Sequence, residues 1–166
     1  ARHDPLTGSL NRKGLDEALE REIARARRNG APLCVALLDI DNFKAINDRL
    51  GHAVGDQALV HLTKVTRQSM RSQDQLARYG GEEFVIILPD TALADGVEAM
   101  RRLQRELTKH YFLDTQSHER LLITFSAGVA QVEGSHNTAD AADAVRRADQ
   151  AMYLAKRSGK NRVAAA

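Results

Sequence analysis

Arg78-Tyr79-Gly80-Gly81-Glu82-Glu83-Phe84, running on into Val85-Ile86-Ile87-Leu88, is the stretch whose reading decides the fold. Two glycines between a short strand-like run and a strongly apolar one predict a tight β-hairpin. Two-residue hairpin turns need positive φ angles, which paired glycines supply. Glu82 and Glu83 follow the turn at once, at the mouth of a strand that is otherwise apolar. Adjacent carboxylates repel and gain nothing from an apolar core, so something cationic is expected beside them. Taken alone, a solvated turn whose acids keep a hairpin soluble is the simpler reading. The rest of the chain argues against it.

Upstream, Asp4-Pro5-Leu6-Thr7-Gly8 is turn-rich, and Asn11 is placed to cap a helix with Leu15, Ala18, Leu19, Ile23 and Ala26 at helical spacing. Gly30-Ala31-Pro32 ends that helix. Leu33 to Leu38 is apolar throughout and too short for a helix, as in a central strand, and it stops at Asp39-Ile40-Asp41. Asn42 to Leu50 is a short helix closed by Gly51 to Asp56, and a longer helix then runs to about Arg71. The hairpin arms are Gln75 to Tyr79 and Glu83 to Leu88. Pro89-Asp90-Thr91 stops the second arm and caps a helix carrying Val97, Met100, Leu103 and Leu107. His110 to Arg120 reads as a surface loop. Leu121 to Val132 reads as a strand with a kink or close approach at Ser126-Ala127-Gly128. Thr138 to Lys156 is helical, and a last short strand surrounds Arg162-Val163. The expected fold is α/β (α+β): a mixed, largely antiparallel sheet flanked by helices.

The chain has 166 residues, 43% hydrophobic and 28% charged, which suits one globular domain. A net charge of +2 is too small for a protein that wraps nucleic acid. Cys34 is the only cysteine, so no intrachain disulfide is possible, and its apolar neighbours mark it as a small buried hydrophobe. No apolar run reaches membrane-spanning length, so no membrane contact by this domain and a cytoplasmic setting are expected. The opening Ala1-Arg2-His3 lacks a methionine, which suggests a fragment of a longer protein.

If the strands ending at Asp39-Asp41 and beginning at Glu82-Glu83 are neighbours, three or four carboxylates meet at one sheet edge. Hard oxygen ligands without a nearby histidine or cysteine suit Mg²⁺ or Mn²⁺ better than zinc. A magnesium site takes few protein carboxylates and leaves room for phosphate oxygens, which points to a nucleoside triphosphate. Asn42-Phe43-Lys44 turns from strand into helix, so its backbone N–H groups and the helix dipole suit phosphate. Lys156-Arg157-Ser158-Gly159-Lys160 closes the last long helix with basic side chains; dipole complementation is the plain reading there.

These residues resemble a family. Asp39-Ile40-Asp41-Asn42-Phe43-Lys44-Ala45-Ile46-Asn47-Asp48, Gly51-His52, Gly55-Asp56 and the Arg78 to Phe84 stretch occur in order. Ser126-Ala127-Gly128-Val129-Ala130 and Ala148 to Lys156 follow, and Asp4-Pro5-Leu6-Thr7-Gly8 with Asn11-Arg12 opens the set. Together they closely resemble the GGDEF-domain diguanylate cyclases, in the Glu-for-Asp variant of the signature, over essentially the whole chain. The resemblance implies a five-stranded sheet related to adenylyl cyclase catalytic domains and polymerase palms. It implies metal ligands at Asp39, the Ile40 carbonyl and Glu82, with Glu83 as the second signature acid, needed for catalysis and a candidate for a second metal. Guanine would be read by Asn47 and Asp56, and phosphates by Phe43 (through its backbone), Lys44, Lys156 and Lys160. A carboxylate accepts from guanine's N1–H and amine, and ATP would leave it unpaired at a cost of ~1–3 kcal/mol or more. Without the resemblance, Asn47 is a turn residue and Asp56 an N-cap.

Lys160 departs from the commoner arginine, keeping charge but losing the bidentate fork. Ser9 departs from the family's bulkier apolar residue. The implied reaction joins two GTP molecules into cyclic di-GMP and two pyrophosphates, at the interface with a second copy of the domain. An N-terminal sensor or dimerisation region is implied in the full protein. Arg71-Ser72-Gln73-Asp74 matches the family's Arg-x-x-Asp inhibitory motif, with Arg102 as a further member, which implies product feedback by cyclic di-GMP.

Overall fold

The apolar run expected to be a central strand forms β1 (Leu33–Ile40), the middle strand of a five-stranded sheet in the computed structural model, which describes residues 1–166. In chain order the elements are α1 (Arg12–Asn29), β1, α2 (Phe43–Leu50), α3 (His52–Ser69), β2 (Gln75–Arg78), β3 (Glu83–Pro89) and α4 (Leu93–Thr108). A two-stranded ribbon, β4 (Phe112–Leu113) with β5 (Arg120–Leu121), precedes β6 (Phe125–Gln131), α5 (Thr138–Arg157) and β7 (Arg162–Ala165). The sheet order is β2-β3-β1-β6-β7. All pairings are antiparallel except β6 with β7, which is the largely antiparallel sheet that the sequence predicts.

Strand β1 is buried along its whole length because both of its faces are covered. Cys34, Ala36 and Leu38 pack with Leu59, Leu62, Met100 and Leu103 of α3 and α4. Leu33, Val35 and Leu37 pack with Leu15 and Ile23 of α1 and with Ala144, Ala148 and Met152 of α5. The period-two alternation therefore turns Asp39 and, across the β1–β3 pair, Glu83 toward the α1/α5 side. Gly128 of β6 lets α5 approach closely: a methyl there would overlap the Ala148 carbonyl oxygen and the Met152 amide nitrogen.

The buried carboxylate of Asp41 locks the ends of β1, β6 and β7 together. It accepts from the hydroxyls of Thr124 (2.7 Å) and Ser126 (2.6 Å) and from the Asn161 amide (2.9 Å). All its bonds point inward, so it is a structural acid.

Several local expectations need correction. Gly80 and Gly81 do not adopt positive φ. The turn is longer than two residues, closed by the Tyr79 and Gly80 amides on the Glu83 carbonyl, and so needs no left-handed residue. Residues 52–56 do not form a loop: Gly51, at φ 93°, ends α2 and starts α3. Asp56 lies one turn inside α3 and is not its N-cap. Thr91 does not cap α4, whose N-cap position is Ala92 without a side-chain bond. The Thr91 hydroxyl instead donates to the Pro89 carbonyl. The polar segment from His110 holds β4 and β5, folded about Asp114, which accepts from the Gln116 amide and the Ser117 hydroxyl. The expected strand from Leu121 accordingly splits into β5 and β6.

Two substitutions test this packing. Asp41→Ala strands three donors, of which the Ser126 hydroxyl is buried, and should cost ~2–3 kcal/mol in urea unfolding. Gly128→Ala forces backbone atoms of α5 away from β6 and should cost about 2–3 kcal/mol. A loss under about 1 kcal/mol in either would contradict the assigned role.

Candidate active site

Asp39 is the penultimate residue of β1, and its Cα partners are Glu83 on one side and Ser126 on the other. Of the acids expected at one sheet edge, Asp39 stands in register with Glu83 and Glu82 adjoins it, whereas Asp41 is bonded inward and does not join them. Asp39 is only 3% exposed. Its Oδ2 accepts from Lys156 Nζ, reaching over from α5, while its Oδ1 is buried and has no partner. Glu82 and Glu83 are half-buried at the start of β3.

Burial pushes the Asp39 carboxyl above the ordinary carboxylate range; the bond to Lys156 works against that, and Asp41 and Asp149 add to it. Burial is also the first cause of the upward displacement of Glu82 and Glu83, followed in both by the charge of Asp39. Three acids held above their usual range, first by burial and then by neighbouring acids, form an edge that favours added positive charge.

An orphaned carboxylate oxygen on a buried strand end fits a hard divalent cation. No three histidine, cysteine or acidic side chains already converge on one point. A ligand set there would draw on a backbone carbonyl such as that of Ile40 and on oxygens of a bound molecule. An open cleft of about 580 Å³ adjoins the edge, lined by Glu83 and by Asp149, Gln150, Met152, Tyr153, Leu154 and Lys156 of α5. A nucleotide-sized molecule fits such a volume.

Around this edge the other candidates are distributed unevenly. Asn42 adopts the left-handed conformation (φ 59°) that turns β1 into α2, and its Oδ1 accepts from Lys160 Nζ at 2.6 Å. Lys160 is itself left-handed, at φ 63°, just past α5. Both lysines beyond Tyr153 are thus tied to the β1–α2 junction. Phe43 opens α2 with its ring packed on the core, leaving its backbone at the helix N-terminus. Lys44 is 89% exposed and pairs with Asp48 at 2.8 Å.

Asn47 of α2 and Asp56 of α3 lie either side of the α2–α3 corner and do not line the cleft beside Glu83. Asn47 rests against Gly55, where a methyl would overlap its Oδ1, and that oxygen is buried without a partner. Asp56 is exposed and faces a separate depression with Val60, His61 and Leu113.

Arg71, Asp74 and Arg102 line one further depression, of about 250 Å³. Arg71 donates to Asp74 through its amide (3.0 Å) and through Nη2 (3.0 Å). The same Nη2 also reaches the Pro89 carbonyl (2.8 Å) and the Thr91 hydroxyl (2.6 Å).

Sequence reasoning missed Asp149 and Thr91. Asp149 could have been found from its helical spacing to Tyr153 and Lys156, which puts all three on one face of α5. Thr91 carries no such signal, because its partner Arg71 is twenty residues away.

Residues 1–162 match the family of diguanylate cyclase GGDEF domains. Diguanylate cyclase DgcP of Pseudomonas aeruginosa is 46% identical over 161 residues, 96% of this chain and 23% of that protein. The crystal structure of the GGDEF domain of DgcB from Caulobacter crescentus in complex with c-di-GMP is similar at a TM-score of 0.91. It is 36% identical and is covered over 99% of this chain and 92% of that one. The active GGEEF domain of a diguanylate cyclase from Vibrio cholerae is similar at a TM-score of 0.80, with 34% identity over 93% of this chain and 96% of that one. The chain thus spans about a quarter of the length of DgcP and nearly the whole of the solved GGDEF domains. With the family matched over residues 1–162 and the solved GGDEF domains covered almost end to end, the chain belongs to the GGDEF-domain diguanylate cyclase family.

Proposed function

We propose that this chain is the diguanylate cyclase domain of a longer protein, binding one GTP with Mg²⁺ or Mn²⁺ at the β1–β3 edge. Two copies, each carrying a GTP, condense their substrates into cyclic di-GMP with release of two pyrophosphates. One observation carries this reading. Asp39 is buried, in register with Glu83, and keeps one oxygen unpartnered. A purely structural acid has no use for that arrangement, and Asp41 two residues on shows the satisfied alternative. The relatives named as diguanylate cyclases and the c-di-GMP complex of a similar domain support it.

Asp39, the Ile40 carbonyl and Glu82 would hold the metal, with Glu83 beside them. A divalent metal held there would supply Lewis acidity, making a 3′-hydroxyl more acidic and offsetting charge on phosphate oxygens. Lys156 exchanges its internal partner Asp39, and Lys160 its partner Asn42, for phosphate oxygens. Asn47 and Asp56, on α2 and α3 at the corner where Gly51 joins the two helices, read the guanine edge. Gly80 and Gly81 keep the loop free of side chains where nothing in the chain crowds them, which suits close approach by a ligand. Because each domain binds one GTP, pairing two domains supplies the orientation the reaction needs.

A second activity is favoured by the shared depression of Arg71, Asp74 and Arg102, which fits guanine recognition by product. A silent module that binds cyclic di-GMP there, or GTP at the β1–β3 edge, without turnover is the rival reading.

Incubating the domain with GTP and Mg²⁺, alone and fused to a dimeric coiled coil, should yield cyclic di-GMP. Glu83→Gln should lower that turnover about a hundredfold or more with an unchanged melting temperature. Unaffected turnover would sink the role given to Glu83, and no product from either form would favour the silent module. Arg71→Ala should weaken calorimetric binding of cyclic di-GMP at least about tenfold while GTP binding is retained. Equal product affinity would remove the regulatory site.

A further inference from the structure

Between α5 and β7 the backbone turns through Gly159, Lys160 and Asn161, all at positive φ, with values of 127°, 63° and 49°. Lys160 and Asn161 are the one adjacent pair of left-handed residues other than glycine in the chain. Asparagine tolerates that conformation through its short polar side chain, whereas lysine has no such compensation. Two strained residues in a row persist only where the surroundings over-determine them.

Several parts of the fold converge on this turn. The Lys160 amide donates to the Ala155 carbonyl at 3.1 Å, which closes the turn on α5. The Asn161 amide donates to Asp41 at 2.9 Å, and Arg162 Nε donates to the Lys160 carbonyl at 3.1 Å. From α4, Gln104 Nε2 donates to both the Asn161 carbonyl (2.6 Å) and the Asn161 Oδ1 (3.0 Å). A carbonyl oxygen only accepts, so the nitrogen of the Gln104 amide must face it. Gln104 follows the buried Leu103, at the border of the packed face of α4, and lies 57 residues from its partner in sequence. No other side chain of α4 bonds to the turn.

The consequence lies with Lys160. Its side chain is exposed, so packing does not aim it, and its flexible stem takes its direction from where the backbone puts its Cα. From the left-handed turn its Nζ reaches Asn42 Oδ1 at 2.6 Å, at the junction where β1 passes into α2. An ordinary backbone conformation at residue 160 would send the side chain elsewhere. The placement of this ammonium group therefore depends on the bonds that keep the turn left-handed, and Gln104 supplies two of them.

We propose that Gln104 is a positioning residue for Lys160: by clamping Asn161 from α4, it fixes the strained turn from which Lys160 reaches the β1–α2 junction. Gln104 itself touches no reacting group. The effect on GTP rests on reading Lys160 as a phosphate contact, whereas the clamp on the turn does not.

The test is amide hydrogen exchange on the nucleotide-free 166-residue chain, followed by Mg²⁺·GTP titration of the same samples. Gln104→Met keeps the length and neutrality of the side chain and removes its donor. It should speed exchange of the Lys160 and Asn161 amides about fivefold to tenfold, with β1 amides unchanged. Gln104→Asn, too short to reach Asn161, should do the same. GTP affinity should fall about threefold to fivefold in either variant. In a Lys160→Ala background, Gln104→Met should cause no further loss of GTP affinity, because it acts through that lysine. Unchanged exchange at the turn in both variants, exchange rising equally in β1, or an equal loss of GTP affinity with and without Lys160 would each overturn the proposal. Should Gln104→Met fail to fold, Gln104→Asn takes its place in every comparison. If the unsubstituted chain binds no GTP, the nucleotide reading fails, and the exchange result alone decides the clamp.

Discussion

Everything at the functional edge depends on one costly placement, the carboxylate of Asp39 at the end of a strand covered on both faces. An acid so buried is raised in pKa, unpaired at one oxygen, and set directly across from Glu83. Such a position is tolerable only if a cation shares it. In the free domain that cation is Lys156, reaching across from α5. The sheet order makes this possible. With β1 between β3 and β6, one strand end collects acids from its neighbour and a lysine from the helix packed on its face.

Two acids two residues apart show how the chain divides structure from chemistry. Asp41 spends every bond inward on Thr124, Ser126 and Asn161, holding the β7 approach to the sheet. Asp39 keeps an oxygen in reserve. The lysines follow the same economy, since Lys156 and Lys160 are held by Asp39 and Asn42 and so stand ready beside the edge without being fixed there by packing. The edge thus carries its own charge balance, with Lys156 set against Asp39. In the nucleotide complex proposed above, phosphate oxygens would replace Asp39 and Asn42 as the partners of these lysines, at less cost than burying new charge.

Much of this was legible in the chain. The unbroken apolar run at Leu33–Leu38 gave the central strand, and its period-two faces are the two cores. The meeting of Asp39 with Glu83 followed from treating the two runs as neighbours. Less legible were features set by tertiary geometry. The glycines of the signature read as a positive-φ turn, whereas a longer loop made that unnecessary and left them as bare backbone. A single left-handed Gly51 joins α2 to α3 without the loop that the polar sequence suggests. The pairings Lys156–Asp39, Lys160–Asn42 and Arg78–Asp4 link residues far apart in sequence, and no local spacing announces them.

The central claim is that the β1–β3 edge is a metal-dependent nucleotide site, and calorimetric titration of GTP with and without Mg²⁺ tests it most directly. Binding should be saturable at one GTP per domain in Mg²⁺ and at least about tenfold weaker in chelator, because the raised acids otherwise repel the triphosphate. Equal affinity in the two conditions would contradict it.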